Sequence, residues 1–315
     1  MTVIGKLHKM RARLLWLTLT MAVAVVWLCL IFAGRAGPEY QPEFSDKPVA
    51  PGATEYVFAI HPLHNPERLF AVYGPIAAYI AERIPGTSFR LEASRNYEEF
   101  EKKLFARAFH FALPNPYQTV LSLKSGYRIF GKMGDDDNFR GIILVRRDSR
   151  IQNVTDLKGK KVSYPAPTAL AAAMMPQYYL HTHGLDVNRD IENVYVGSQE
   201  SSILNVYHGL TAAGTTWPTP WLKFQEQHPD MAAELIVKWQ TETLPNNGLV
   251  VRDDVPAEVT EKVAAALFSL QDSEAGRKLL EAIPLSRFEP ATAGTYAPVR
   301  AYIHRFSTEV RPVSE

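Results

Sequence analysis

The chain has 315 residues, 34 basic and 33 acidic side chains, a formal charge of +1 and 46% hydrophobic residues. This balance fits a globular body, and with no polybasic block beyond the N-terminal flank it argues against a nucleic-acid partner. The single cysteine, Cys29, leaves the rest of the chain without a disulfide, a Cys-based zinc site or thiol catalysis.

Leu14 to Ala33 is an uncharged run of twenty residues, preceded by Lys6, Lys9, Arg11 and Arg13. As a helix it rises about 30 Å, enough to cross the hydrocarbon core of a bilayer. The basic flank keeps the N-terminus in the cytoplasm and sends the remainder across. Residues 1–34 therefore read as a transmembrane anchor or as a signal segment cleaved near the small residues Gly34 and Ala36. Lipidation of Cys29 does not fit, because Leu28 precedes it and the thiol lies inside the apolar run. Residues 35–54, rich in Pro, Gly and charge, read as a linker.

The soluble region opens with a buried strand at Tyr56–Ile60 and a Pro-broken loop, HPLHNPERL. Helical spacing follows over Phe70–Ile84, with Ile76, Ile80 and Ile84 on one stripe. Phe89–Ala93 alternates as a strand. Asn96 is placed to cap a helix over Tyr97–Ala108, with Glu98, Glu99 and Glu101 in its first turns, where the dipole favours them. A third strand, Phe109–Leu113, ends in Pro114-Asn115-Pro116 and leads to a helix over Tyr117–Ser125. Strands alternating with helices in short units predict an α/β fold with parallel pairing.

The pattern restarts at the strand Gly141–Val145. A strand at Val162–Tyr164, a helix over Ala169–His183, a strand at Ile191–Val196, a helix over Ser201–His208 and a strand at Leu210–Thr215 follow. Gly248–Val251 returns to strand, and helices follow at 256–271 and 273–282. About 260 soluble residues suit two lobes rather than one core. The alternation predicts a first lobe of 55–145 and 239–315 and a second of 146–238, each a mixed or parallel sheet flanked by helices. Two crossovers would form a hinge, at about 140–146 and 240–248. Ligands in such folds bind at strand C-terminal ends, facing the cleft.

By position, Tyr73 at the first helix, Tyr117 after Pro116, and Thr215, Thr216 and Trp217 after a strand are candidate ligand contacts. Tyr73 and Trp217 read equally as packing residues. His61 and His64 reach the same loop region, but no third ligand accompanies them, so no metal is expected. His181 and His183 read as surface residues at a helix end. Asp135-Asp136-Asp137 reads as a solvated loop or as part of the cleft mouth. Neither H-E-x-x-H nor a nucleophile elbow is present, so no catalytic group and no cofactor are expected.

The run DSRIQNVTDLKGKKVSYPAPT, Asp148 to Thr168, resembles the hinge and second-domain start of type 2 periplasmic solute-binding proteins. Tyr73-Gly-Pro-Ile76 with Tyr79-Ile80, Val196-Gly-Ser-Gln-Glu-Ser-Ser-Ile203 with Gly209, and the ending SRFEPATAGTYAPVR resemble the phosphate/phosphite/phosphonate branch. The resemblance spans about residues 55–305. It implies the two-lobed fold of that class and a small solute held between lobes. It also implies an ABC permease as partner, and a periplasmic, monomeric protein. The branch holds its oxyanion with a hydroxyl run at a helix N-terminus, where free N–H groups favour an anion. Here those positions fall on Ala169, Leu170 and Ala171, leaving Thr168, which also reads as a plain N-cap. The branch's ligand-contacting His falls on Gln199 and its cleft Asp on Thr211. These departures predict weak phosphonate binding. A membrane-tethered sensor reporting to a signalling partner, or an enzyme on the same fold, would share the architecture.

Overall fold

The computed structural model describes residues 52–314. The apolar run, Cys29 and most of the linker lie outside the described residues. Among the described residues no helix is long and apolar enough to cross a membrane.

Two sheets organise the chain. The first starts with β1 (Thr54–Ile60), which is buried from Tyr56 onward. Burial on both faces is what a central parallel strand requires. Next, α1 (Pro66–Arg83) begins four residues before the expected Phe70. Asn65 caps it by accepting from Arg68 N at 2.9 Å, and Pro66 stands at the first helical position, where its missing N–H costs nothing. Leu69, Val72, Tyr73, Ile76 and Ile80 form its buried stripe. β2 (Thr87–Ala93), α2 (Tyr97–Phe105), β3 (Phe111–Leu113) and α3 (Pro116–Ser122) follow close to expectation. A full capping box starts α3: Asn115 accepts from Gln118 N and Gln118 accepts from Asn115 N, both at 3.1 Å. β4 (Tyr127–Met133), β10 (Gly248–Arg252) and β11 (Phe288–Pro290) complete the order β11-β4-β10-β3-β1-β2. β1 runs parallel to β2 and β3, whereas β10 is antiparallel to both β3 and β4.

The second sheet contains β5 (Arg140–Arg146), β6 (Lys161–Tyr164), β7 (Glu192–Tyr195), β8 (Ala213–Thr216) and β9 (Leu235–Thr243), in the order β7-β6-β8-β5-β9. The sequence reading put residues 140–145 in the first lobe. The strand instead pairs antiparallel with β8 and β9. A short apolar run fits either sheet, and its partners are set by topology rather than by local pattern. The chain thus passes between sheets at 134–139 and 244–247. These two crossings are tied together: Asp136 accepts from Asn246 N at 2.9 Å and from Lys132 Nζ at 2.7 Å, and Asn246 Nδ2 donates to Gly134 O at 2.8 Å. The acidic run is therefore a joint between crossings. Its neighbour Asp135 accepts from both Ser286 N and its hydroxyl.

The expected helix at 169–183 divides into a π-helical turn, Leu170–Met174, and α4 (Met175–Thr182). Pro176 has no N–H to give the Ala172 carbonyl, and the Thr215 hydroxyl takes that carbonyl instead. Thr168 is not the cap, since Ala169 holds that position without a side-chain bond. Beyond it come α5 (Gln199–Tyr207), α6 (Pro218–Gln227), α7 (Pro229–Ala233), α8 (Ala257–Phe268), α9 (Glu274–Ala282) and α10 (Ala297–Glu309). The C-terminal end straps onto α4 and its approach. Arg311 donates to Gln177 Oε1 and to Pro167 O, and Asn188 donates to Val310 O.

Gly214 lies where β8 meets α5. A Cβ there would stand 2.5 Å from both Ser202 O and Val206 Cγ2. Gly214→Ala is expected to destabilise the protein by about 1–3 kcal/mol through overpacking, read as a lowered urea midpoint with an unchanged m-value.

Candidate functional site

Strand ends from both sheets converge on one cleft. β1 ends at His61, β3 leads to Asn115, and α2 presents Tyr97 and Glu101, four residues apart on one face. From the second sheet, β6 leads to Thr168 and the π turn, β7 to Ser198 and Gln199, and β8 to Trp217. The space enclosed beside His61, Tyr97, Gln199 and Trp217 is about 10 Å³, roughly what one water needs. A larger solute can enter only when the walls part.

Three hydrogen bonds join the two sides. Thr168 Oγ1 donates to Glu101 Oε1 at 2.5 Å, Asn115 Nδ2 donates to Thr168 O at 3.1 Å, and Gln199 Nε2 donates to Tyr97 Oη at 3.2 Å. Thr216 Oγ1 fixes Gln199 by donating to its Oε1 at 2.8 Å. Glu101 Oε1 accepts a further bond from Gln118 Nε2 at 2.9 Å. Its bonded donors are thus neutral. Burial raises the Glu101 pKa, the Gln118 and Thr168 bonds hold the rise back, and the Glu98 charge adds to it.

His61 is buried and its Nδ1 lies 2.8 Å from Leu113 O. A carbonyl only accepts, so Nδ1 carries the proton and Nε2 is the acceptor of the neutral ring. Burial pushes its pKa down to about 4, against the Leu113 bond. The same happens at His64, where burial and then the charges of Arg68, His61 and Lys223 lower the pKa to about 3. Asn247, also on the cavity wall, donates to Met133 Sδ at 3.3 Å, and its Oδ1 is buried without a partner.

Of the residues expected at the site, Gln199 and Trp217 line the cavity, with Trp217 also packed on Phe139 at 5.6 Å between ring centroids. Thr216 supports Gln199, and Thr168 is bonded to Glu101 beside it. Tyr73 and Tyr117 are packed in the core, and burial raises both phenol pKa values. Thr215 is fully buried and donates to Ser163 O and Ala172 O inside the second lobe. Thr211 bonds Ser163 at 3.1 Å, away from the cavity. Sequence reasoning missed Glu101, Tyr97, Asn115 and Asn247. The i, i+4 spacing of Tyr97 and Glu101 was the available signal. Among the described residues there is no group of His, Asp and Glu fit to hold a metal ion.

Two α/β sheets joined by two crossings, with strand ends meeting at an interlobe cleft, define a two-lobed solute-binding fold of the type 2 periplasmic class. Residues 58–296 match the family described as ABC transporter, phosphonate, periplasmic substrate-binding protein. The chain belongs to that family. Its structure is similar to a binding-protein component of an ABC phosphonate transporter from Pseudomonas aeruginosa, at 16% identity and TM-score 0.73, over 79% of this chain and 85% of that one. It is similar also to PhnD1 from Prochlorococcus marinus in complex with methylphosphonate, at 14% identity and TM-score 0.73, over 81% and 98%. The alkanesulfonate-binding protein SsuA from Xanthomonas axonopodis pv. citri, bound to MOPS, matches at 14% identity and TM-score 0.61, over 83% and 95%.

A pH dependence follows from His61. Its folded pKa lies below the unfolded value, so the unfolded chain takes up the proton first, and stability falls as pH drops from about 6.5 towards about 4. At about pH 5 the loss from His61 is about 2 kcal/mol. Glu101 opposes it, because a raised carboxyl pKa adds stability that is lost as pH rises through the folded value. Denaturant melts from neutral to mildly acid pH should show a falling stability, and His61→Gln should reduce that fall and leave the part that His64 contributes.

Proposed function

We propose that this chain captures a small solute in the periplasm for an ABC permease, and that the Thr168 end of its cleft receives a hydrogen-bond donor, above all a protonated nitrogen, in place of an oxyanion. The observation that carries the reading is the Glu101 carboxylate bonded to Thr168. A negative charge there repels a phosphonyl group, and the family's hydroxyl positions are the apolar wall Ala169, Leu170 and Ala171. The Glu101 carboxylate is bonded to neutral donors only, and the buried Oδ1 of Asn247 is an acceptor without a partner. Each oxyanion hydrogen bond missing from such a wall costs an anion about 1.5–3 kcal/mol.

In this reading the lobes part about the paired crossings at 134–139 and 244–247 and close on the solute, shifting the population towards the form that the permease recognises. The protein acts as a monomer without catalysis, held at the inner membrane by its N-terminal apolar run or released from it by cleavage. A retained anchor also suits a sensor that reports the solute to a signalling partner.

Calorimetry on the full-length protein with ethanolamine and putrescine tests the site. Binding is expected for an amine and should weaken by about tenfold or more in Glu101→Gln. It should also weaken as pH falls, because a bound cation favours the ionised carboxylate that acid removes. Amines that give no heat, together with methylphosphonate binding that Thr168→Val abolishes, would contradict the assignment.

A further inference from the structure

Gln199 also lines a second space, of about 50 Å³, roomier than the cavity beside Tyr97 and Trp217. One wall is the loop after β1 and the first turn of α1, which supply His64 and Arg68. The other wall comes from the start of α5 and from one side of α6, which supply Ser198 and Lys223. Each lobe thus contributes a cation. The Nε–H of Arg68 is buried and has no hydrogen-bond partner, and a buried donor on a charged group calls for an acceptor. Lys223 is mostly covered and keeps one bond, at 2.7 Å to Glu226. Glu200 also borders the pocket, with its carboxylate 3.9 Å from His228 Nε2. At the head of α5 the Ser198 hydroxyl accepts from Ser201 N at 3.1 Å, while the N–H groups of Gln199 and Glu200 have no carbonyl within the helix to bond. The neutral state of His64, which burial and the charges of Arg68 and Lys223 enforce, agrees with a positive potential inside the pocket.

We propose that this pocket is a second binding site, one for a small oxyanion: free phosphate or the phosphonyl or sulfonyl head of a small solute. Arg68 would meet the anion with a charge-assisted bond from the first lobe, and Lys223 and the head of α5 from the second. Because the anion touches both lobes, its binding favours the closed arrangement. The site stands on its own geometry, since neither Glu101 nor Thr168 lines it.

Calorimetry on the full-length protein with inorganic phosphate, sulfate and methylphosphonate tests it. Phosphate or sulfate binding would mark a free-anion site, and methylphosphonate binding alone would mark a site for an organic head. Arg68→Met and Lys223→Met should each weaken the observed binding by about tenfold or more, while Glu101→Gln and Thr168→Val, which remove no contact to the anion, should change it by clearly less. Melting curves verify that the variants fold, and Lys223→Met carries the test if Arg68→Met does not. The proposal fails if none of the three anions binds, if binding ignores both methionine substitutions, or if Thr168→Val abolishes it. Amine binding at Glu101 is read separately, so either site can fail while the other stands.

Discussion

Glu101 places a carboxylate against the hydroxyl of Thr168 and the amide of Gln118, inside the seam between two sheets. A half-buried acid with only neutral donors is costly, and its raised pKa is the measure of that cost. The surrounding geometry follows from accommodating it. Asn115 uses its oxygen for the capping box of α3, which orients Gln118, and its nitrogen for the Thr168 carbonyl. The same residue therefore holds the donor that serves Glu101 and the loop that presents Thr168. On the other side of the cleft, Thr216 aligns Gln199 onto Tyr97, one turn before Glu101. One chain of hydrogen bonds thus runs from β8 through Gln199 to Tyr97 on α2, and Glu101 sits one turn further along the same helix.

The polarity of the cleft is consequently divided. On the Glu101 side the unpaired capacity is acceptor capacity, at the buried Asn247 Oδ1. Around Arg68 it is donor capacity. Gln199 stands between the two spaces and lines both. This separation of charge is unlike a site organised around one anion at one helix start, and it is compatible with the family's architecture because the fold positions loops without dictating their side chains. The strap from Arg311 to Gln177 and Pro167 adds a constraint on movement, since it ties the C-terminal segment to the second lobe at the same loop that carries Thr168.

Much of the fold was legible in the sequence because burial leaves periodic marks. The stripe of α1 and the apolar runs of β1, β3 and β10 each carry their own signal, and Asn96 marks the start of α2 as its capping side chain. Pairing leaves no such mark, which is why Arg140–Arg146 was read into the wrong sheet. The π turn was hidden too, because it depends on Pro176 losing one bond and Thr215, forty-odd residues away, taking over the carbonyl. At the site, Gln199 and Trp217 line the cavity, and Thr168 bonds Glu101 nearby. Glu101 was read as a dipole partner in a helix's early turns. Its contact with Thr168 depends on the helix's rotation and on the approach of another lobe. Tyr73 and Tyr117 pack in the core, and an amphipathic side chain has the same local pattern whether it faces a ligand or the core.

A crystal structure of the full-length protein with a bound amine tests the central claim most directly. The account predicts a protonated nitrogen within hydrogen-bonding distance of the Glu101 carboxylate, with Thr168 displaced from it or sharing it. A phosphonyl or carboxylate oxygen on Thr168 Oγ1, with Glu101 turned out of the cleft, would contradict it.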